Sequence, residues 1–278
     1  MSSSLDVPVF LFIFRDIGGY LTKQFGGYLS YCLVRFSSPQ WFNGLTLRHS
    51  KPRAVVYIAP ETPVRWAMNT HITFVLDSSG SMERIEDDTR GGFNSFLKDQ
   101  RETEGSATVT LYDFDTNVNL VYERYPIEDA PKLDGSNYTP AGRTALHDAI
   151  HRAITETAEW ITEADPTEQP DNVLCVVLTD GKENASETHH ERVREQVELR
   201  REEQGWEFFF IGANQDAVLT AARMGMDRDR ALNMAHSGEG TQAAYDSTSA
   251  QINEMRRTGK TSGYDESDRQ RQREARDQ

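Results

Sequence analysis

Three short runs constrain this chain more than any other feature: HITFVL at 71–76, NVLCVVL at 172–178 and EFFFIGA at 207–213. Each is too short for a self-burying helix and carries few side chains that need water. Runs of this kind read as strands covered on both faces. The stretches between them are helical in pattern. Residues 144–163 repeat Leu146, Ile150, Ile154, Ala158 and Ile161 at helical spacing. Residues 88–101 do the same with Phe93, Phe96 and Leu97, although Gly91 and Gly92 oppose a helix there. A charged helix is expected over 188–204, another over 215–224 ending at Gly225, and a last one over 240–257. ATVTLYDFD at 107–115 alternates, and NVNLVYERY at 117–125 follows almost at once, so the two read as a hairpin. RALNMA adds one more short strand. Strands alternating with helices give an α/β fold: a doubly wound, mostly parallel sheet with one antiparallel edge strand and helices on both faces.

In such a sheet ligands sit outside the carboxyl ends of the strands. The first strand ends in DSSGSM (77–82), the strand over 172–180 ends in LTDGKEN, and TPAGRTAL runs into the long helix between them. Asp77, Ser79 and Ser81 turn alternate oxygens inward from one tight loop, with Gly80 permitting the bend. Thr144 adds a hydroxyl and Asp180 a second carboxylate. All five donors are hard oxygens, with no thiolate or imidazole among them. That donor set selects magnesium, or manganese or calcium, over zinc or copper.

Asp-x-Ser-x-Ser, then a distant Thr, then a distant Asp resembles the metal-ion-dependent adhesion site of the von Willebrand factor type A domain, a Rossmann-like fold. The resemblance covers roughly residues 70 to 225 on Asp77, Ser79, Ser81, Thr144 and Asp180. FFFIGANQDAVLTAARMGM looks like a free-standing prokaryotic and phage subgroup. The resemblance implies serines and threonine on the ion, aspartates acting largely through water, and capture of a partner's exposed Asp or Glu. It also implies a protein that is not an enzyme. Gly80 and Asp148, four residues after Thr144, are expected to support the metal loop.

Other motifs compete with this reading. HDAIH at 147–151 is one methylene from the zinc-protease His-Glu-x-x-His, and makes a metal-dependent hydrolase the alternative function. No third ligand follows it. A structural subunit of a phage or chromosomal assembly is a further alternative. Asp113 and Asp115 resemble extra acidic ligands, but their strand is expected to lie away from the ion. GKT at 259–261 lacks the upstream glycine of a phosphate loop, since position 254 is Glu254. NAS at 184–186 is a sequon that a cytoplasmic protein does not use, and His189 and His190 read as a solvated helix start.

Charge separates the chain into parts. The formal net charge is -14, yet residues 1–67 hold seven bases and three acids, leaving -18 for the rest. An acidic chain repels nucleic acid and anionic membranes, so neither is expected as a partner. It suits a salt-rich, haloarchaeal-type cytoplasm, and two unspaced cysteines suit a reducing one. The apolar run VPVFLFIF is broken by Arg15 and Asp16, well short of the roughly 18 to 20 residues of a membrane span. Residues 1–67 show no steady period and are expected to be a poorly ordered extension, with translation truly starting at Met68. Residues 68–235 then form the domain, 236–258 a C-terminal helix on or near it, and 259–278 a mobile polar tail.

Overall fold

The computed structural model describes residues 21–25, 28–32, 68–213 and 216–277. The chain divides into two units. In the first, β1 (Leu21–Phe25) pairs antiparallel with β2 (Tyr28–Cys32), Phe25 opposite Tyr28. The sequence reading assigned no element there. The overlooked signal in the sequence is the Gly-Gly pair at 26–27, a dipeptide that marks turns. The rest of what was expected for residues 1–67, including the start at Met68, lies outside the described residues.

The second unit is built on a six-stranded sheet: β3 (Thr70–Asp77), β4 (Ala107–Phe114), β5 (Val118–Pro126), β6 (Asn172–Thr179), β7 (Glu207–Gly212) and β8 (Ala231–Asn233). Their spatial order is β5-β4-β3-β6-β7-β8. All neighbours are parallel except β4 and β5, so the hairpin is the antiparallel edge. Strand alternation divides the core in two. Phe74 of β3, Val176 of β6 and Phe209 of β7 face α1 (Glu86–Glu102) and α5 (Gly238–Thr258). Val75, Val177 and Phe210 face α2 (Leu146–Glu163), α3 (His190–Gln204) and α4 (Ala217–Arg223). Helices therefore cover both faces.

Gly92 shows why α1 tolerates poor helix formers. A Cβ there would lie 2.1 Å from the Tyr245 ring of α5. The glycine lets Tyr245 reach Phe74, stacked at 6.1 Å, while Phe93 meets Phe74 edge-on at 5.1 Å. Burying one such phenylalanine contributes about 1.5–3 kcal/mol, more than the roughly 1 kcal/mol a helical glycine costs.

The expected mobile tail at 259–278 is instead largely ordered. Gly259 caps α5 in a left-handed conformation, φ 72°, which accounts for GKT without a phosphate. α6 (Glu266–Arg276) follows, opened by a reciprocal capping box between Asp265 and Asp268. Tyr264 packs edge-on to Phe209 at 5.6 Å and shares a 2.8 Å hydrogen bond with Thr248. Gln272 accepts from Ala235 N at 2.8 Å and donates to Gly240 O at 3.0 Å. Composition misleads here because polar side chains are buried through hydrogen bonds rather than excluded. Among the described residues, no helix is long and apolar enough to cross a membrane.

Candidate metal centre

β3 delivers Asp77 as its last residue, fully buried at the centre of the sheet edge. Tyr138 donates to its carbonyl at 2.6 Å. The chain then turns. Ser79 N donates to Asp77 Oδ1 at 2.7 Å, which folds the side chain back over its own loop. The Oγ atoms of Ser79 and Ser81 lie 3.1 Å apart. Gly80 opens a short 3-10 turn at the expected bend, without a left-handed φ. Its value lies in approach: Gly80 N donates to Gly142 O at 3.2 Å, and Ala141 N to Ser78 O at 2.7 Å. Those two bonds bring the Thr144 loop alongside the serine loop.

β6 lies next to β3 and ends one residue before Asp180. Ser81 donates to Asp180 Oδ1 at 2.5 Å, and Thr179 to Asp77 Oδ2 at 2.5 Å. Gly181 is needed for close packing. A Cβ there would fall 2.5 Å from Thr144 Oγ1 and 3.2 Å from Asp77 Oδ2. Thr144 is held from behind, its N–H donating to Asn184 Oδ1 at 3.0 Å and its carbonyl accepting from Asn184 N at 3.1 Å. The sequon asparagine is thus a structural clamp. Asp77, Ser79, Ser81, Thr144 and Asp180 come from three segments and are drawn together. All are buried except Ser81, which faces solvent.

Two physical observations fit a divalent cation. In octahedral coordination at about 2.1 Å, neighbouring ligand oxygens lie about 3.0 Å apart, and the two serine oxygens stand at 3.1 Å. The carboxylates also lack compensation. Burial pushes the Asp77 pKa up, against hydrogen bonds from Thr179 and Ser79, and the charge of Asp180 pushes it further. Burial likewise raises Asp180, against Ser81 and His236. Its Oδ2 is buried without a hydrogen bond. A divalent charge would relieve both conditions.

The sign of the pH dependence follows. A raised carboxylate pKa means that the cation-free fold holds those protons more tightly than the unfolded chain does. The stability linked to them is present at low pH and lost as pH rises through the folded pKa. An added ion competes with the same protons. Stabilisation by magnesium should therefore decline on acidification before pH reaches the ordinary carboxylate range near about 4. Melting curves with magnesium and with chelator, compared from neutral pH downward, measure this. A magnesium shift that holds constant to pH of about 4.5 would contradict the assignment.

Sequence reasoning missed His236. Its Nε2 lies 2.9 Å from Asp180 Oδ2, although neither atom is aligned for a hydrogen bond. An imidazole therefore borders the five oxygen-bearing residues without being one of them. Only topology could have found it, since it follows β8 at the same edge of the sheet. Asp148 acts at a distance from the donors. It accepts from Glu187 N at 3.0 Å and Thr188 N at 2.8 Å, holding the far end of the loop that begins at Asp180. Asp115 Oδ1 accepts from Asn117 N at 2.7 Å, and its carbonyl from Ala145 N at 2.8 Å, so it braces the start of α2. Asp113 is partly buried on β4, and burial raises its pKa. In HDAIH, the His147 amide donates to Glu183 and Ser186, each at 3.0 Å, as a helix cap. Among the described residues no three His, Cys, Asp or Glu side chains converge as a metal cluster. The hydroxyl-based centre belongs to a different class.

No family model matches the chain, and no curated protein does. Solved structures do. The pilus adhesin SpaC from Lactobacillus rhamnosus GG aligns at TM-score 0.52 and 14% identity, over 68% of this chain and 30% of that one. The D319A mutant of the PilB minor pilin from Streptococcus sanguinis aligns at 0.48 and 14%, over 69% and 63%. A von Willebrand factor type A structure from Catenulispora acidiphila aligns at 0.46 and 13%, over 66% and 42%. The likeness is one of fold alone: a doubly wound α/β sheet with helices on both faces. The chain spans less than two thirds of the length of each of these structures. In this doubly wound sheet, the candidate centre lies at the carboxyl ends of β3 and β6, where open α/β sheets bind ligands.

Proposed function

We propose that the chain is a divalent-cation-dependent protein-binding module that captures an acidic side chain of a partner. One observation carries this reading: two buried carboxylates and three hydroxyls converge from three segments, and Ser81 alone among them is open to solvent. Ser79, Ser81 and Thr144 would hold the ion, with Asp77 and Asp180 supplying charge. When bound, the ion supplies a site that accepts a carboxylate from outside. Magnesium is the ion we favour, with manganese and calcium as substitutes, because the converging donors are hard oxygens.

Binding rather than catalysis is the reading because Ser81 is paired with the Asp180 carboxylate and with Ser79 rather than with an imidazole base. The partner is read as a protein. The negative charge of the chain works against nucleic acid and anionic membranes. The same acidity, and a free Cys175 whose burial pushes its thiol up to about 12, fit a free-standing prokaryotic or phage-type module in a salt-rich, reducing cytoplasm.

Thr144→Ala tests the function. It removes Oγ1 and leaves the backbone pair with Asn184 in place. The fold should persist, and partner capture should fall at least about tenfold, as chelation should also make it fall. Quantitative pull-down with wild type, variant and chelator reads the difference. Capture that neither treatment changes would leave only the structural-subunit reading.

A further inference from the structure

A cavity of about 520 Å³ opens beside the candidate centre and belongs to none of the roles above. Its volume lies in the range of sites that take a ligand or a short segment of a partner. Leu146, Leu219 and Met224 supply apolar wall, and Lys182 and Arg223 supply charge. Two features set it apart from an accidental cleft. Leu219 is 45% exposed, one of few large apolar side chains left in solvent among the described residues. The two carboxylates that also line it are already engaged. Glu183 accepts from Ala185 N, Ser186 N and His147 N, and Asp216 caps α4 through Leu219 N. Lys182 and Arg223 make no ion pair among the described residues, in a chain of net charge -14. Leu219 therefore offers the exposed apolar surface, and Lys182 and Arg223 are free to pair with an incoming acid while Glu183 and Asp216 are turned to their own amides.

Its position fixes how it would be used. Leu146 stands two residues after Thr144, and Lys182 two residues after Asp180. Consecutive Cα atoms are about 3.8 Å apart, so both walls begin within roughly 8 Å of donor Cα atoms. An extended peptide advances about 3.3 Å per residue. A side chain about two or three residues from a bound acid reaches the cavity.

We infer that this cavity is a specificity pocket for the partner segment: a bulky apolar side chain enters it, and a second acid beside that residue pairs with Lys182 and Arg223. The inference rests on the proposed cation-dependent capture, and it adds a pattern to it. The segment recognised carries an acid for the centre and, about two or three positions away, an apolar residue flanked by another acid.

The probe is a phage-displayed library of short random peptides with a fixed central glutamate, panned on the full chain in magnesium. Enriched peptides should show the apolar residue and second acid at that spacing. Leu219→Asp, at an exposed site that tolerates the change, should weaken them at least about tenfold. The Lys182→Glu, Arg223→Glu double variant should weaken peptides with the second acid more than those without it. Manganese binding, followed by electron paramagnetic resonance, should be unchanged in both variants. Enriched peptides that bind wild type and both variants equally overturn the pocket, as does a library that yields no enriched sequence. If Leu219→Asp abolishes binding and Asp77→Ala does not, the pocket stands and the cation-dependent reading falls.

Discussion

Replacing Asp77 with alanine is expected to remove all of the stabilisation that magnesium, manganese or calcium gives this chain. A ligand that binds only the folded state, at a free concentration one hundred times its Kd, stabilises by about 2.7 kcal/mol. Asp77 is fully buried, supplies half of the buried carboxylate charge at the centre, and fastens Ser79 through its amide. Without it, the Ser79–Ser81 loop loses charge and order together. In chelator the variant should change much less. It loses the bonds to Ser79 and Thr179 but sheds a desolvated charge that Asp180 repels. Urea unfolding across a magnesium titration measures both arms. Ionic strength must be held constant, because an acidic surface responds to salt by screening alone. Equal magnesium shifts in wild type and Asp77→Ala would end the metal assignment.

The second large effect is expected at the other end of the chain. A protein ending at Gly263 should be clearly less stable than the full chain, because it loses one buried aromatic side chain, worth about 1.5–3 kcal/mol, together with the hydrogen bonds that anchor α6. The groups lost are Tyr264 against Phe209 and Thr248, and Gln272 between Ala235 and Gly240. The urea midpoint should fall. Superimposable unfolding curves for the full and shortened chains would show that α6 contributes nothing. The loss should also reach the centre, since Gln272 fixes the backbone beside His236 and His236 borders Asp180.

That path from tail to site marks where sequence reading ends. The doubly wound sheet was legible because buried strands must be apolar on both faces, and HITFVL, NVLCVVL and EFFFIGA leave little else to be. That five oxygen-bearing side chains meet was legible because Asp77, Ser79 and Ser81 are close in sequence and parallel topology carries Thr144 and Asp180 to the same edge. His236 was not, because one histidine after a three-residue strand has no pattern. α6 was hidden because Asp268 and Gln272 are buried by hydrogen bonding, which composition scores as solvent exposure. Gly92 was read as a weakness in α1, when its meaning lies in Tyr245, far away in the sequence.

The donors of the centre are widely spaced along the chain: Asp77, Thr144 and Asp180 meet only after β3, α2 and β6 have assembled. Loops of that length must close before their ends can meet anything. A cation held as proposed would therefore have no site on a nascent or half-formed chain, and would arrive only after those loops have closed. Interactions absent from the transition state act on the unfolding rate. The ion would thus lengthen the lifetime of the finished molecule without shortening the time needed to make it.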